Sequence, residues 1–276
     1  MALSTIKVQI AALSVYVQRS LQQDPLINRF CKVVAKQRPA PCRKVPTWDL
    51  SIMLKAVIRE PFEPISEASL RLITLKTVFL IAMTTARSLS ELQALSIREP
   101  YMQVLEDRVI LRTDQSFVPK VASSFHKSQD IILPSFCNKP ANSKEEQLHR
   151  LDVRRCLLAY LDATKEFRTS EALFVLFSGN RKGKQASKGT ISRWIKMAIL
   201  EGYKTLHLDP PQGLKAHSTR ALATSWAEKA GATPEQICKA ATWSSMSTFI
   251  RHYRLDVLSN QDQAFGGKVL QAVVPP

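Results

Sequence analysis

The sequence lacks several features that would assign it to a familiar class of protein. Its five cysteines are odd in number and contain no CxxC pair, which argues against a disulfide framework and against a zinc knuckle. No apolar run reaches the about 18 residues that a membrane span needs, and the longest covers residues 77–83. The beginning, MALSTIKVQI, has no long apolar segment of the signal-peptide kind. These absences predict an intracellular chain with reduced thiols and no membrane partner.

Motifs of several enzyme classes are also missing. The segment GNRKGK at 179–184 has one residue too few between its glycines for a phosphate-binding P-loop, and Gln185 follows Lys184 where Ser or Thr is needed. There is no GxSxG motif, no HxxxH motif and no acidic triad with metal-ligand spacing. We therefore expect neither a cofactor nor a metal, and we interpret 179–184 as a basic loop.

Acidic residues are few relative to basic ones. The chain has 23 Asp and Glu against 39 Lys and Arg, a formal charge of +16. Such an excess favours a polyanionic partner, with nucleic acid first because phosphate contacts supply most non-specific affinity. Other acidic partners, or simply a basic soluble surface, stay open on charge alone. A hydrophobic content of 45% is sufficient for a folded core.

Helical patterns dominate the chain. Residues 36–46, with three prolines and four cations, interrupt these patterns and are typical of a linker. Thr47 is the expected N-cap of a helix over 48–58. The segment 66–86 is the most apolar and is expected to be the core helix. Further helices are predicted over 3–21, 148–167, 189–202, 216–230, 234–242 and 246–258.

Three short β-like runs separate the two groups of helices. They cover 109–111, 117–118 and 131–133, and polar turns lie between them. They predict a small three-stranded antiparallel sheet. The expected fold class is therefore α+β and mainly α-helical.

Residues suited to phosphate chemistry accumulate toward the C-terminus. His217 and Arg220 are three apart and share a helix face, near a helix start where free N–H groups favour anions. Alone, such an HxxR pair is more often a surface or cap feature. Thr233 then opens a short helix with a capping box, and Trp243 and Tyr253 follow.

At this point the sequence resembles the tyrosine recombinases of the phage-integrase type. Their second motif is HxxR, then a turn, a short helix, a His or Trp and the nucleophilic Tyr, as in HSTRALATSWAEKAGATPEQICKAATWSSMSTFIRHYR. The first motif resembles TTARSLSELQAL, with Arg87 as an arginine that binds phosphate and Glu91 as its support. The family also carries a lysine on the hairpin of a small sheet. Lys120 is the best match for it, with Lys127 as its rival.

The resemblance implies a fold, a chemistry and a set of site residues. The fold would be a tyrosine recombinase catalytic domain, and DNA would be cut and rejoined through a 3′-phosphotyrosyl bond. The implied catalytic residues are Arg87, Lys120, His217, Arg220, Trp243 and Tyr253. The two arginines would hold the phosphate and Lys120 would act as general acid. His217 would be a base or hydrogen-bond donor, and Trp243 would contact the phosphate or support Tyr253. No metal is implied.

The resemblance also implies an organisation and partners. Residues 1–45 would be a partial, apparently truncated helical DNA-embracing arm with its linker, 46–260 the catalytic domain and 261–276 a tail. The segments FVPK, WSSMSTFIRHYR and PTWDLSIML are most similar to those of recombinases of DIRS-like retrotransposons. The expected partner is double-stranded DNA, with self-association to a tetramer on it, in the nucleus.

Two alternatives stay open at this stage. Trp243 and Tyr253 are ten residues apart where the family more often has nine, so His252 occupies the usual register. This shift and the short arm are also typical of a DNA-binding remnant that no longer cuts. A basic helical transcription regulator is the third hypothesis. It predicts that the Arg, His and Tyr residues do not meet in one pocket.

Overall fold

The computed structural model describes residues 3–38, 45–119, 129–255 and 257. The chain divides into two compact units, with the boundary between Lys44 and Val45. Within the described residues, no helix is both long enough and apolar enough to cross a membrane.

The first unit is a pair of helices. It consists of α1 (Leu3–Tyr16), a 3-10 turn (Leu21–Gln23) and α2 (Pro25–Gln37). The expectation of one helix over 3–21 was wrong in length, because the chain leaves helical geometry at Gln18, which has a φ of 51°. Asp24 then caps α2 by accepting hydrogen bonds from the backbone N–H groups of Leu26 and Ile27.

The second unit is mainly helical. Its helices are α3 (Leu50–Val57), α4 (Leu70–Thr85), α5 (Leu89–Gln93), α6 (Ser143–Arg150), α7 (Val153–Thr164), α8 (Lys188–Thr205), α9 (Ser218–Lys229), α10 (Pro234–Ala240) and α11 (Met246–His252). The single helix expected over 148–167 was wrong, because the structure has two helices there. Asp152 ends one helix and caps the next, since its Oδ1 accepts from the N–H of Arg155 at 2.8 Å.

Helix α4 forms the centre of this unit. Every side chain from Ile73 to Ala82 is buried, as expected for a helix that is apolar on most sides. It packs against α7, α8 and α9. The helix predicted over 66–86 is therefore present, although Ser69 delays its start by accepting a hydrogen bond from the N–H of Leu72. The helix ends at Thr85, two residues before Arg87.

The residues just before α3 contact the start of α9. Thr47 was predicted as the N-cap, but Asp49 is the cap, with Oδ1 accepting from the N–H of Ser51 at 2.7 Å. Trp48 instead turns into the core and donates its indole N–H to the Ser218 hydroxyl at 2.8 Å. This contact fixes the first residue of α9 next to His217.

A three-stranded antiparallel sheet lies between the two groups of helices. Its strands are β1 (Met102–Val104), β2 (Arg108–Leu111) and β3 (Ile131–Pro134), in the order β1-β2-β3. Met102 pairs with Leu111, and Leu111 pairs with Ile131. The predicted class, α+β and mainly helical with a small three-stranded antiparallel sheet, is confirmed.

One predicted strand was wrong. Residues 117–118 form no strand because Asp114 closes a turn just before them: its carboxylate accepts from the N–H and the hydroxyl of Ser116. Val118 is left 78% exposed. The third strand is β1, which the prediction missed because two of its three side chains face solvent.

Candidate active site

The end of α4 places Arg87 at a sharp turn. Ala86 adopts a left-handed φ of 51° and ends the helix. Ser88 then starts α5 with a capping box, in which the Glu91 carboxylate accepts from the backbone N–H of Ser88 at 2.9 Å and from its hydroxyl at 2.6 Å. The local sequence ARSLSE thus holds Arg87 and Glu91 side by side.

Arg87 and Glu91 form a buried ion pair. The Arg87 Nη1 lies 3.1 Å from Glu91 Oε1, and Arg87 is 6% exposed. Burial lowers the pKa of Arg87, against the opposing effect of Glu91. Burial alone would raise the pKa of Glu91, but the Ser88 hydrogen bonds and the Arg87 charge bring that pKa below its usual value. The lowered pKa keeps Glu91 ionised at neutral pH, and Arg87 is protonated because a guanidinium does not lose its proton in proteins.

Arg220 reaches the same place from α9. Its Nη2 donates to the Ala241 carbonyl, and its guanidinium carbon lies 4.8 Å from the centre of the Trp243 ring and 5.6 Å from that of Tyr253. Burial lowers the pKa of Arg220, Glu91 and Tyr253 oppose this, and the charge of Arg87 lowers the pKa further. The two arginines are thus electrostatic neighbours.

Each arginine has an unused donor. Among the described residues, the buried Nε–H groups of Arg87 and Arg220 have no hydrogen-bond partner. An unpaired buried donor is costly, and more so when it is charged. Two neighbouring guanidinium groups with unfilled donors match an anion with several oxygens, such as a phosphate.

Tyr253 lies against the same cluster. Its hydroxyl is 2.9 Å from His217 Nε2, and its ring centre is 4.5 Å from that of Trp243. The backbone N–H of Tyr253 donates to the Phe249 carbonyl at 2.8 Å. Ser225 donates its hydroxyl to the Tyr253 carbonyl and accepts from the N–H of Leu255. The tyrosine is therefore held from both α9 and α11.

The ten-residue spacing is accommodated at the end of α11. The helix stops at His252, and Tyr253 has the non-helical angles φ −124° and ψ −21°. His252, which occupies the nine-residue register, is exposed to solvent. Because the helix ends before Tyr253, the side chain of Tyr253 can point toward His217.

The structure brings five of the sequence-predicted site residues together. They are Arg87, His217, Arg220, Trp243 and Tyr253. This convergence is the opposite of what the transcription-regulator hypothesis predicts. Lys120 and its rival Lys127 both lie outside the described residues, so the assignment of the general acid stays a prediction.

Thr242 is a site residue that sequence reasoning missed. Its hydroxyl lies 2.9 Å from Glu91 Oε1, across 151 positions of sequence. No local pattern points to this contact, because the partners meet only through the tertiary fold. The one available signal is its position directly before Trp243.

His217 is expected to titrate below the usual histidine range. Partial burial of the ring, and secondly the charge of Arg220, lower its pKa. An NMR titration of the ring should give a midpoint below about 6.5.

Since the folded pKa of His217 is lowered, the stability that neutral His217 contributes is present above the unfolded pKa and is lost as pH falls through the folded pKa. Chemical unfolding should therefore show wild type losing stability relative to His217→Gln on acidification. Exposed His252→Gln serves as control, and an unshifted midpoint would contradict the expectation.

Comparisons with known proteins identify the fold. No family model matches the chain, and no curated protein matches it. Among solved structures, the Tn1549 transposon integrase in complex with a circular intermediate DNA superposes with a TM-score of 0.53 at 13% identity, over 98% of this chain and 80% of that one. XerH site-specific recombinase bound to palindromic difH substrate gives 0.54 at 12% identity, over 83% of this chain.

This chain spans about half of XerH, 54% of its length, both in that post-cleavage complex and in a pre-cleavage complex with difH. The pre-cleavage complex matches with a TM-score of 0.52 at 14% identity, over 80% of this chain. The likenesses show that this chain contains the fold of a tyrosine recombinase catalytic domain.

Proposed function

We propose that this protein breaks and rejoins DNA strands through a 3′-phosphotyrosyl intermediate at Tyr253. The observation that carries the proposal is the hydroxyl of Tyr253, 2.9 Å from a histidine nitrogen and beside the Arg220 guanidinium. A tyrosine, a base and neighbouring buried arginines in one cluster are the groups that a phosphodiester transfer needs.

The reaction exchanges one phosphoester for another. The Tyr253 oxygen attacks phosphorus and its proton passes to His217 Nε2, the atom within hydrogen-bond reach. The new bond joins phosphorus to Tyr253, and the bond to the 5′-oxygen breaks. The leaving 5′-oxygen takes a proton, which we assign to Lys120, with Lys127 as the rival. Rejoining reverses these steps, and because the ester bond is conserved no nucleotide hydrolysis is required.

Arg87 and Arg220 stabilise the charge on the phosphate. Their planar guanidinium groups stay protonated and can donate to two oxygens at once. Glu91 holds Arg87, and the Ala241 carbonyl holds Arg220, so both are positioned before the substrate arrives. Donors fixed in this way cost no reorganisation as negative charge builds up.

The charge distribution supports duplex DNA as the substrate. Residues 172–200 contain no Asp or Glu but six Lys and Arg. Most of these cations are exposed, in the basic loop 179–184 and along α8. The Tn1549 integrase and XerH, whose fold this chain shares, were each solved with DNA. Together these facts support a polyanion-binding surface on the same unit that carries Tyr253.

Covalent trapping tests the proposal. The protein is incubated with a pool of nicked duplexes at low salt and denatured, and any DNA-linked peptide is identified by mass spectrometry. We expect a denaturation-resistant adduct in which the nucleotide is carried by Tyr253. An adduct on another residue would sink the mechanism. Duplex binding without any adduct would favour the second hypothesis, a DNA-binding remnant that no longer cuts.

We also infer a biological setting for this activity. The resemblance to recombinases of DIRS-like retrotransposons supports a role in the integration of a mobile element, in the nucleus, as a tetramer on its DNA. Fluorescence imaging of a tagged chain tests the location, and light scattering of the protein–DNA complex tests the tetramer. A cytoplasmic signal, or a complex with one protomer per duplex, would contradict the respective point.

A further inference from the structure

Thr242 has a backbone conformation that threonine rarely adopts. Its φ is 50°, in the left-handed region where a β-branched side chain is strained and glycine is not. Of the described non-glycine residues with positive φ, the others are Gln18, Ala86 and His207, none of which is β-branched. A threonine in such a place indicates that its side chain does something that glycine cannot.

The hydroxyl of Thr242 connects the two halves of the site. It lies 2.9 Å from Glu91 Oε1 and 2.7 Å from the Ala241 carbonyl, and its proton is best donated to the charged carboxylate. The same Glu91 oxygen accepts from Arg87 Nη1. The Ala241 carbonyl, one peptide away, accepts from Arg220 Nη2. Thr242 therefore lies between the group that holds Arg87 and the group that holds Arg220.

The left-handed turn at Thr242 is what allows this link. Helix α10 ends at Ala240, and the N–H groups of Thr242 and Trp243 fold back onto the carbonyls of Lys239 and Cys238. This turn directs the Ala241 carbonyl to Arg220 and places the Trp243 ring against Tyr253. Backbone and hydroxyl together thus set the separation of the two arginines relative to the nucleophile.

We propose that Thr242 is a positioning residue of the reaction, which fixes Arg87 and Arg220 as one rigid anion clamp by bonding Glu91 through its hydroxyl. The inference rests on the proposed function. It assigns to this threonine an effect on the rate of phosphoryl transfer that is separate from its effect on stability.

Four variants separate the hydroxyl from the backbone. Thr242→Ser keeps the hydroxyl, Thr242→Val keeps the shape without it, and Thr242→Gly removes both the hydroxyl and the backbone strain. Thr205→Val is the matched control, because within the described part of the chain the buried Thr205 hydroxyl has no hydrogen-bond partner. Melting temperature, duplex affinity and the single-turnover rate of adduct formation are measured for each.

The expected order of rates differs from the expected order of stabilities. The Ser variant and the Thr205 control should react near the wild-type rate. The Val and Gly variants should react about 10- to 100-fold more slowly, the effect of a lost hydrogen bond to a charged group. The Gly variant should nevertheless melt at or above the wild-type temperature, since it relieves the left-handed strain. A purely structural role predicts that Gly reacts as fast as wild type, and that result would overturn the inference.

Phosphate binding without DNA keeps this test separate from the proposed function. The DNA-free protein is titrated calorimetrically with inorganic phosphate. Wild type, Thr242→Ser and Thr205→Val should bind it alike, whereas Thr242→Val and Thr242→Gly should bind it more weakly. This pattern in a protein that forms no adduct would refute strand transfer and retain the clamp. Equal phosphate affinity in all variants, or no binding by wild type, would overturn the inference itself.

Discussion

Tyr253→Phe is expected to abolish the covalent DNA adduct completely while duplex binding persists. Phenylalanine keeps the ring that packs against Trp243 at 4.5 Å and against His217 at 5.2 Å, but it has no oxygen to form the ester. Duplex affinity should change by less than about tenfold, the net value of one neutral hydrogen bond. Denaturing gels report the adduct, and a filter or anisotropy assay reports the binding.

The neighbouring histidine supplies the matched control. His252 is exposed and occupies the nine-residue register from Trp243, yet Tyr253 is the residue whose side chain reaches His217. His252→Ala should therefore form adducts as wild type does. Adducts that persist in Tyr253→Phe, or that disappear in His252→Ala, would assign the nucleophile elsewhere.

Glu63→Gln is expected to destabilise the fold by about 3–5 kcal/mol, the usual cost of removing one partner from a buried ion pair. The Glu63 carboxylate accepts from the Lys76 Nζ, which is 0% exposed, and it lies 2.7 Å from Arg155 Nη1. Without the carboxylate, the cations of Lys76 on α4 and Arg155 on α7 face each other. Urea unfolding measures the loss.

Two comparison variants test this explanation. Glu67 is exposed, so Glu67→Gln should change the unfolding free energy by less than about 0.5 kcal/mol. Lys76→Met should cost less than Glu63→Gln, because it leaves Glu63 paired with Arg155. If Glu63→Gln unfolds like Glu67→Gln, the cluster contributes nothing and the explanation is wrong.

The stability that the Glu63 cluster contributes depends on pH. Burial raises the pKa of Glu63, but the hydrogen bond from Arg155 and the charge of Lys76 outweigh it and bring that pKa below its ordinary value. A carboxyl with a lowered folded pKa contributes stability that is present above its unfolded pKa and is lost as pH falls through the folded pKa. The contribution of Glu63 is therefore intact at neutral pH and lost in acid.

Patterning predicted much of the fold. Residues 66–86 read as a core helix because their apolar side chains cover every face, and α4 is that helix. The runs at 109–111 and 131–133 became β2 and β3 because alternate side chains are buried. The errors lie where a carboxylate decides the local structure: Asp114 prevents a strand at 117–118, and Asp152 divides a helix. Such choices depend on tertiary neighbours.

The composition of the site was predictable only in part. The HxxR pair and the segment to Tyr253 lie within 37 residues of sequence, so local spacing placed them together. Arg87 and its support by Glu91 were both predicted from the resemblance of one motif. The contribution of Thr242 was not predictable, since it depends on a contact across 151 positions and on a φ of 50°.

The shared contacts of Glu91 constrain which substitutions this site can accept during evolution. One carboxylate caps α5 through Ser88, pairs with Arg87 and accepts from Thr242. The effects of substitutions at these positions on stability are therefore non-additive. The loss of Glu91 removes in one step the contacts that Ser88, Arg87 and Thr242 make with it. In a lineage that loses Glu91, we expect the strained Thr242 to lose the contact that balances its cost and to be replaced by glycine, which relieves the strain.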